Sequence, residues 1–212
     1  VYATSSYLHK YFDSSIVSGV YALGSVLALI ASISVARSIK RFHAYGFAFG
    51  IALAEIIVIL LFGHTENIYL LPLFFIIHFV LQVLLNISLN IFVESFTAHA
   101  KVGSIRGLYL SVFNLGILVS PLIAGFILSV SSFSTLYTVS ALTLVPYLYF
   151  LHKYLHHIKD PAYHEINLLE AARKALKNKN LRAALIGNYV VQLFYAVMVI
   201  YSPLYLTSIG VP

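Results

Sequence analysis

Six long apolar runs divide this chain and leave little else from which a fold could be built. Each has about the 20 residues that a helix needs to cross the hydrocarbon core of a bilayer. Only 9% of the 212 residues are charged, whereas soluble domains carry roughly 25%. The sequence therefore predicts an all-α fold, a polytopic transmembrane helical bundle with six membrane spans. The predicted spans are residues 14–36, 44–63, 69–93, 105–130, 135–151 and 181–206.

The connections between the runs alternate between basic segments and segments without Lys or Arg. Because Lys and Arg collect on the cytoplasmic side of membrane proteins, this alternation supports the count of six. It predicts a multi-pass protein of the cell membrane, with the basic loops and the central linker in the cytoplasm. The net charge of +6 is then a topology signal and does not indicate nucleic-acid binding. Of the 13 cationic side chains, all but Lys10 lie in the basic connections: Arg37, Lys40, Arg41, Lys101, Arg106, Lys153, Lys159, Arg173, Lys174, Lys177, Lys179 and Arg182.

The last basic connection contains "EINLLEAARKALKNKN", residues 165–180. Its apolar side chains share one helical face, and charged side chains occupy the other. Two interpretations fit: an amphipathic helix on the cytoplasmic membrane surface, or a solvated linker helix. Either makes this segment the candidate boundary between two bundles. The apolar face comprises Ile166, Leu169, Ala172, Ala175 and Leu176.

The fourth run and its lead-in read "RGLYLSVFNLGILVSPLIAGF", residues 106–126. This segment resembles the fifth-helix signature of the major facilitator superfamily, with Ser120 and Ala124 standing where the signature has glycine. Small residues let helix backbones approach closely, and proline bends a helix. The resemblance implies a helix-packing role for Gly107, Gly116, Ser120, Pro121 and Gly125.

Two weaker similarities point the same way. The segment "SISVARSIKR" places Arg37, Lys40 and Arg41 at the basic positions of the family's first-loop motif, although its usual Asp is missing. The start, "VYATSSYL", and the end, "IYSPLYL", align with one gap, as parallel repeats would.

The resemblance implies that the six runs are helices 2 to 7 of a twelve-helix fold, so that we expect a fragment of a longer chain. The expected domains are residues 1–155, most of the N-terminal bundle; residues 156–180, the cytoplasmic linker; and residues 181–212, the first helix of the C-terminal bundle.

A polar side chain recurs on every turn of the third run, in "HFVLQVLLNISLN". Polar groups in a membrane helix are costly unless they face protein or water. The stripe is therefore interpreted as the wall of a water-filled substrate cavity, or as hydrogen-bonding contacts that join helices. It comprises His78, Gln82, Asn86 and Asn90.

The last run carries a second stripe, of Asn188, Gln192 and Tyr195, at helical spacing. The resemblance implies that both striped runs, as helices 4 and 7, line the central cavity. With no charge on either stripe apart from His78, a small polar or amphipathic substrate fits better than a strongly anionic one.

Glu55 lies in the middle of the second run, where an ionised carboxylate must be buried among partners or be protonated. One interpretation is a proton-coupling group. The other is structural packing beside a close-packing face of Gly46, Gly50 and Ala54.

Glu94 ends the third run near the basic loops. The resemblance implies a gating contact with Arg37 or Arg106, and a solvated interfacial carboxylate is the alternative. His156 and His157 have no third ligand at suitable spacing, cysteine is absent, and no catalytic motif occurs. We therefore predict no metal, no cofactor and no enzyme activity.

The predicted function is secondary active transport of a small solute by alternating access, coupled to protons or to another ion. The expected partners are a small-molecule substrate, the lipid bilayer, protons and the missing remainder of the same chain, and not nucleic acid. The alternatives are a polytopic membrane enzyme, with His78 and Glu55 as acid and base, and a non-transporting membrane sensor.

Overall fold

The structure, a computed structural model, describes residues 2–95, 102–157 and 168–209. Within these ranges the regular structure is entirely helical, which confirms the all-α prediction. The helices are α1 (Tyr2–His9), α2 (Ser14–His64), α3 (Leu70–Ser95), α4 (Val102–Val130), α5 (Phe133–Phe150), α6 (Leu168–Lys177) and α7 (Lys179–Ser208); a π-helical turn, Leu151–Leu155, continues α5.

The chain divides into two compact units. The bundle unit is Tyr11–Ala162, and the terminal unit combines Val1–Lys10 with Tyr163–Pro212. In the terminal unit, α1 and α6 both contact α7. The observed α6 confirms that the linker contains a helix, while Ile166 of its predicted apolar face lies outside the described residues. The domain boundaries inferred from the family resemblance stay a prediction.

Helix α2 folds back on itself at His43, whose backbone is non-helical with φ 61° and ψ 158°. Tyr21, before this break, and Phe62, after it, both contact Phe75: the ring centroids lie 4.6 and 6.3 Å from that of Phe75. In a straight helix the 41 residues between them would span about 60 Å. The two arms of α2, residues 14–42 and 44–64, therefore run antiparallel.

Five helices in the described part of the chain are long and apolar enough to cross a membrane, and the first is the 51-residue α2. Because α2 consists of two antiparallel arms, these five helices supply the six predicted spans. The helices are longer than predicted at the first basic connection, where the first arm continues to residue 42. A helix end beyond the hydrocarbon needs no apolar side chains, so hydropathy understates its length.

The core of the bundle unit forms where α3 and α5 pack against α2. The prediction that Gly46, Gly50 and Ala54 form the close-packing face of the second arm is wrong in this unit. Gly50 is exposed, and no atom lies within 4 Å of where its Cβ would be. The buried side lies roughly opposite and carries Ala44, Ala48, Ile51, Ala52, Glu55, Ile59, Phe62 and Gly63.

The second arm lies very close to α5 at Gly63. A Cβ atom added there would lie 2.5 Å from the Cβ of Tyr137. Next to this contact the Phe62 and Tyr137 rings meet edge to face, with centroids 4.9 Å apart. The absence of a side chain at position 63 therefore allows the two helices to meet here.

Candidate functional site

A hydrogen bond between two ionisable side chains joins the second arm of α2 to α3. Nδ1 of His78 lies 2.6 Å from Oε1 of Glu55, and the two side chains are 12% and 5% exposed. The second arm of α2 and α3 run antiparallel, since Phe62 packs against Phe75 and Ile51 packs with Leu85. Both residues lie near mid-helix, so the backbone brings them to the same depth. Glu55 thus has the partner that a carboxylate within a membrane span requires.

Apolar side chains enclose the His78–Glu55 pair on both sides along the helix axes. Towards the α2–α3 connection, the Phe62 ring lies parallel to the His78 ring, 13° between planes and 6.4 Å between centroids, and Phe75 packs against Phe62. Towards the other end, Ile51, Ala52 and Leu85 form a buried cluster. The pair therefore lies in a low-dielectric environment, where charge must be balanced locally.

The second oxygen of the carboxylate has no partner. Oε2 of Glu55 is buried and accepts no hydrogen bond from any residue that the structure describes. A buried polar atom without a hydrogen bond is costly and needs a specific explanation. The choice between proton coupling and structural packing for Glu55 stays a prediction.

Sequence reasoning considered His78 and Glu55 mainly as separate features, and the structure brings them together. The sequence contains features from which this pairing could have been predicted. Each residue is the one ionisable group well inside its span, and the two spans are consecutive and hence antiparallel. A mid-membrane acid and a histidine at equal depth on neighbouring helices are natural partners. Nothing in the sequence distinguishes Phe62, which covers the pair, from the other apolar residues of its span.

The remainder of the polar stripe on α3 faces outward from the bundle unit. Gln82 and Asn90 are exposed and Asn86 is half-buried. The Asn86 amide donates to the Gln82 carbonyl oxygen (3.0 Å), and the Asn90 amide donates to the Asn86 carbonyl oxygen (2.9 Å). Both bonds lie within α3, so these contacts do not tie the stripe to another helix.

The stripe of Asn188, Gln192 and Tyr195 lies on α7 in the terminal unit, and all three side chains are exposed there. Its assignment to the cavity stays a prediction. The gating residues Arg37, Glu94 and Arg106 are also exposed. None of the three takes part in an ion pair within the described ranges, and their gating role stays a prediction.

The small residues of α4 do not meet a neighbouring helix in the bundle unit. No atom lies within 4 Å of an added Cβ at Gly107, Gly116 or Gly125, and Ser120 and Pro121 are exposed. These positions are left uncovered by the described part of the chain. Its packing role stays a prediction.

Histidines also gather where α5 ends in the π-helical turn. The Tyr45 hydroxyl lies 3.0 Å from Nδ1 of His152, and the His152 and His156 rings stack with centroids 5.3 Å apart. Across the described ranges, no group of three or more His, Cys, Asp or Glu residues could hold a metal ion. The cluster links the start of the second arm to the end of α5.

Apolar helices of membrane-spanning length, an enclosed His–Glu pair and an outward polar stripe together define a polytopic helical membrane protein. A family model described as Major Facilitator Superfamily matches residues 1–212. The chain belongs to this superfamily and is a membrane transporter. A search of curated proteins and a search of solved structures each gave no significant match.

Proposed function

We propose that this protein is a secondary active transporter that moves a small polar or amphipathic solute across the cell membrane by alternating access. The observation that carries the proposal is the outward stripe of Gln82, Asn86 and Asn90 on α3. Gln82 and Asn90 are exposed in the bundle unit and Asn86 is half-buried, so these polar groups would be costly against lipid. A water-filled cavity accommodates them without that cost.

The stripe suits substrate binding because of the hydrogen bonds it leaves available. Each asparagine uses one amide hydrogen for a carbonyl of its own helix. Its side-chain oxygen and its other amide hydrogen make no hydrogen bond within the described residues, and an amide has two donors and an acceptor to offer. These neutral groups suit hydroxyls, amides or carbonyls on a solute. By the family resemblance, the α7 stripe contributes a second wall.

The enzyme alternative uses His78 and Glu55 as acid and base. Their direct 2.6 Å contact leaves no room for a substrate group between the two side chains. The pair is also enclosed by Phe62 and the Ile51 cluster. Transport, which needs a polar surface and not a reactive centre, fits the arrangement better.

Cysteine accessibility tests the cavity directly, because the chain contains no native cysteine. Cysteines at Gln82 and Asn90 should react with a membrane-impermeant, water-soluble thiol reagent. The matched controls are cysteines at Leu73 and Ile77, which are also exposed on α3 but lie on its apolar surface. Lipid should protect the controls. Equal inertness of all four positions would contradict an aqueous cavity.

Leucine substitutions then test the role in transport. A panel of neutral sugars, amino acids and polyols is screened for a solute that raises the apparent melting temperature, since binding to the native state stabilises it. In proteoliposomes, Gln82→Leu should reduce uptake of that solute about two- to tenfold, which is the effect on binding expected from the loss of one hydrogen bond. If the stripe joins helices instead, the same change lowers thermal stability and spares transport. A sensor would bind the solute without moving it.

A further inference from the structure

The His78–Glu55 pair is isolated from other charges. Of the seven acidic residues, Glu55 is the one within a membrane span and away from its ends; the others are Asp13, Glu66, Glu94, Asp160, Glu165 and Glu170. The titratable groups that pack against the residues enclosing the pair are tyrosines: Tyr21 on the first arm of α2, and Tyr137 and Tyr147 on α5. No Lys or Arg lies in these spans. The charge of the pair is therefore set by its own protons.

One proton must lie between the two side chains. At 2.6 Å, lone pairs of Nδ1 and Oε1 facing each other without a hydrogen would repel. When Glu55 is ionised its carboxylate can only accept, so Nδ1 of His78 is then the donor to Oε1 of Glu55. This proton holds the two helices together and cannot leave without breaking the contact.

The exchangeable proton is the one on Nε2. With it, the imidazolium and the carboxylate cancel to zero net charge. Without it, a neutral imidazole still donates through Nδ1, but one uncompensated negative charge remains beside the unpartnered Oε2. An isolated charge in an apolar environment is strongly disfavoured. A dry site therefore favours the protonated pair, and release of the proton requires water nearby.

His78 adjoins the exposed part of the polar stripe. It is the first residue of the stripe and keeps 12% of its side chain exposed. Gln82, about 6 Å further along the helix axis, is exposed. Nε2 makes no hydrogen bond within the described residues and does not rank among the fully buried unpartnered atoms. Water in the proposed cavity would therefore have one helical turn to pass before it meets the nitrogen that can exchange its proton.

We propose that the His78–Glu55 pair is the proton-binding site of this transporter, taking up and releasing one proton at Nε2 of His78. Hydration of the cavity next to Gln82 allows release, and closure of the cavity retains the proton. The link to transport rests on the proposed function, whereas proton binding at the pair does not depend on it.

Nuclear magnetic resonance of the full-length protein in nanodiscs, with ¹⁵N-labelled histidine rings, tests the proton directly. Across the pH range in which the protein stays folded, Nε2 of His78 should gain and lose its proton while Nδ1 stays protonated. Loss of the His78 signal in His78→Gln assigns the resonance. Through-space contacts with the Phe62 ring assign it in the unmodified protein, should that variant fail to fold.

Glu55→Gln keeps an acceptor for Nδ1 but removes the compensating charge. The imidazolium then has no counter-ion in an apolar site, so the Nε2 titration should be lost across this pH range. Glu66→Gln, the same change at an exposed loop position, should leave it intact. A constant protonation state of Nε2 in the unmodified protein, or an unaltered titration in Glu55→Gln, would overturn the proposal.

Transport measurements separate this inference from the proposed function. In proteoliposomes with the solute found in the stability screen, an imposed proton gradient should drive accumulation by the unmodified protein. Glu55→Gln should lose this accumulation but keep exchange at equal pH. If exchange and accumulation both survive in Glu55→Gln, the proton site is refuted and the transporter stands. If Nε2 titrates but no solute is moved, the proposed function fails and the proton site stands.

Discussion

Gly63→Ala should destabilise the protein by overpacking the contact between the second arm of α2 and α5. The new Cβ would lie 2.5 Å from the Cβ of Tyr137 and 3.0 Å from its Cγ and Cδ2. Ordinary carbon contacts begin near 3.5 Å, so the backbones must separate by about 1 Å. The nearest atom is fixed to the α5 backbone and cannot rotate away. Overpacking of this kind costs about 1–3 kcal/mol.

Gly50→Ala is the matched control, since it makes the same change in the same helical arm. No atom lies within 4 Å of its new Cβ. Replacing a helical glycine by alanine alone stabilises by about 1 kcal/mol. This propensity term is common to both variants, so the difference between them isolates the overpacking at Gly63.

The assay is thermal unfolding in detergent, monitored by circular dichroism. With about 2–4 °C per kcal/mol for a chain of this size, Gly63→Ala should melt at least about 2 °C below Gly50→Ala. Tyr137→Ala retains the Cβ atom and should not restore Gly63→Ala. Equal melting temperatures for the two glycine variants would refute the close approach of α2 and α5.

Two further predictions concern the turn of α2 and the orientation of the chain. His43 has φ 61° and ψ 158°, a region nearly restricted to glycine and costing other residues about 1–3 kcal/mol. His43→Gly should therefore be more stable than His43→Ala in the same unfolding assay, and the reverse order would exclude strain at this turn. In intact cells, an impermeant thiol reagent should label cysteines at Thr65 and Ser132 and spare those at Ser38 and Asn178; outside labelling at Asn178 would contradict the proposed orientation.

The sequence alone determined the spans and their number. A membrane helix must satisfy its backbone hydrogen bonds internally and cover itself with about 20 apolar residues, so length and hydropathy locate it. The two arms of α2, residues 14–42 and 44–64, agree with the predicted spans to within a few residues except at their shared basic connection. The family match over residues 1–212 likewise confirms a resemblance first carried by the α4 motif.

Tertiary structure decided which side of each helix is buried. Lipid and protein interior are both apolar, so hydropathy does not distinguish a lipid-facing side from a packed side. Gly50, whose small size suggests close packing, is exposed, while Ala48 on roughly the opposite side of the helix is buried. Hydropathy gives both residues the same expectation. A polar residue does indicate a side turned away from lipid, because lipid disfavours it. It does not indicate which residue it will contact. Only the antiparallel packing of α2 and α3 brings His78 to Glu55 and separates it from the outward Gln82.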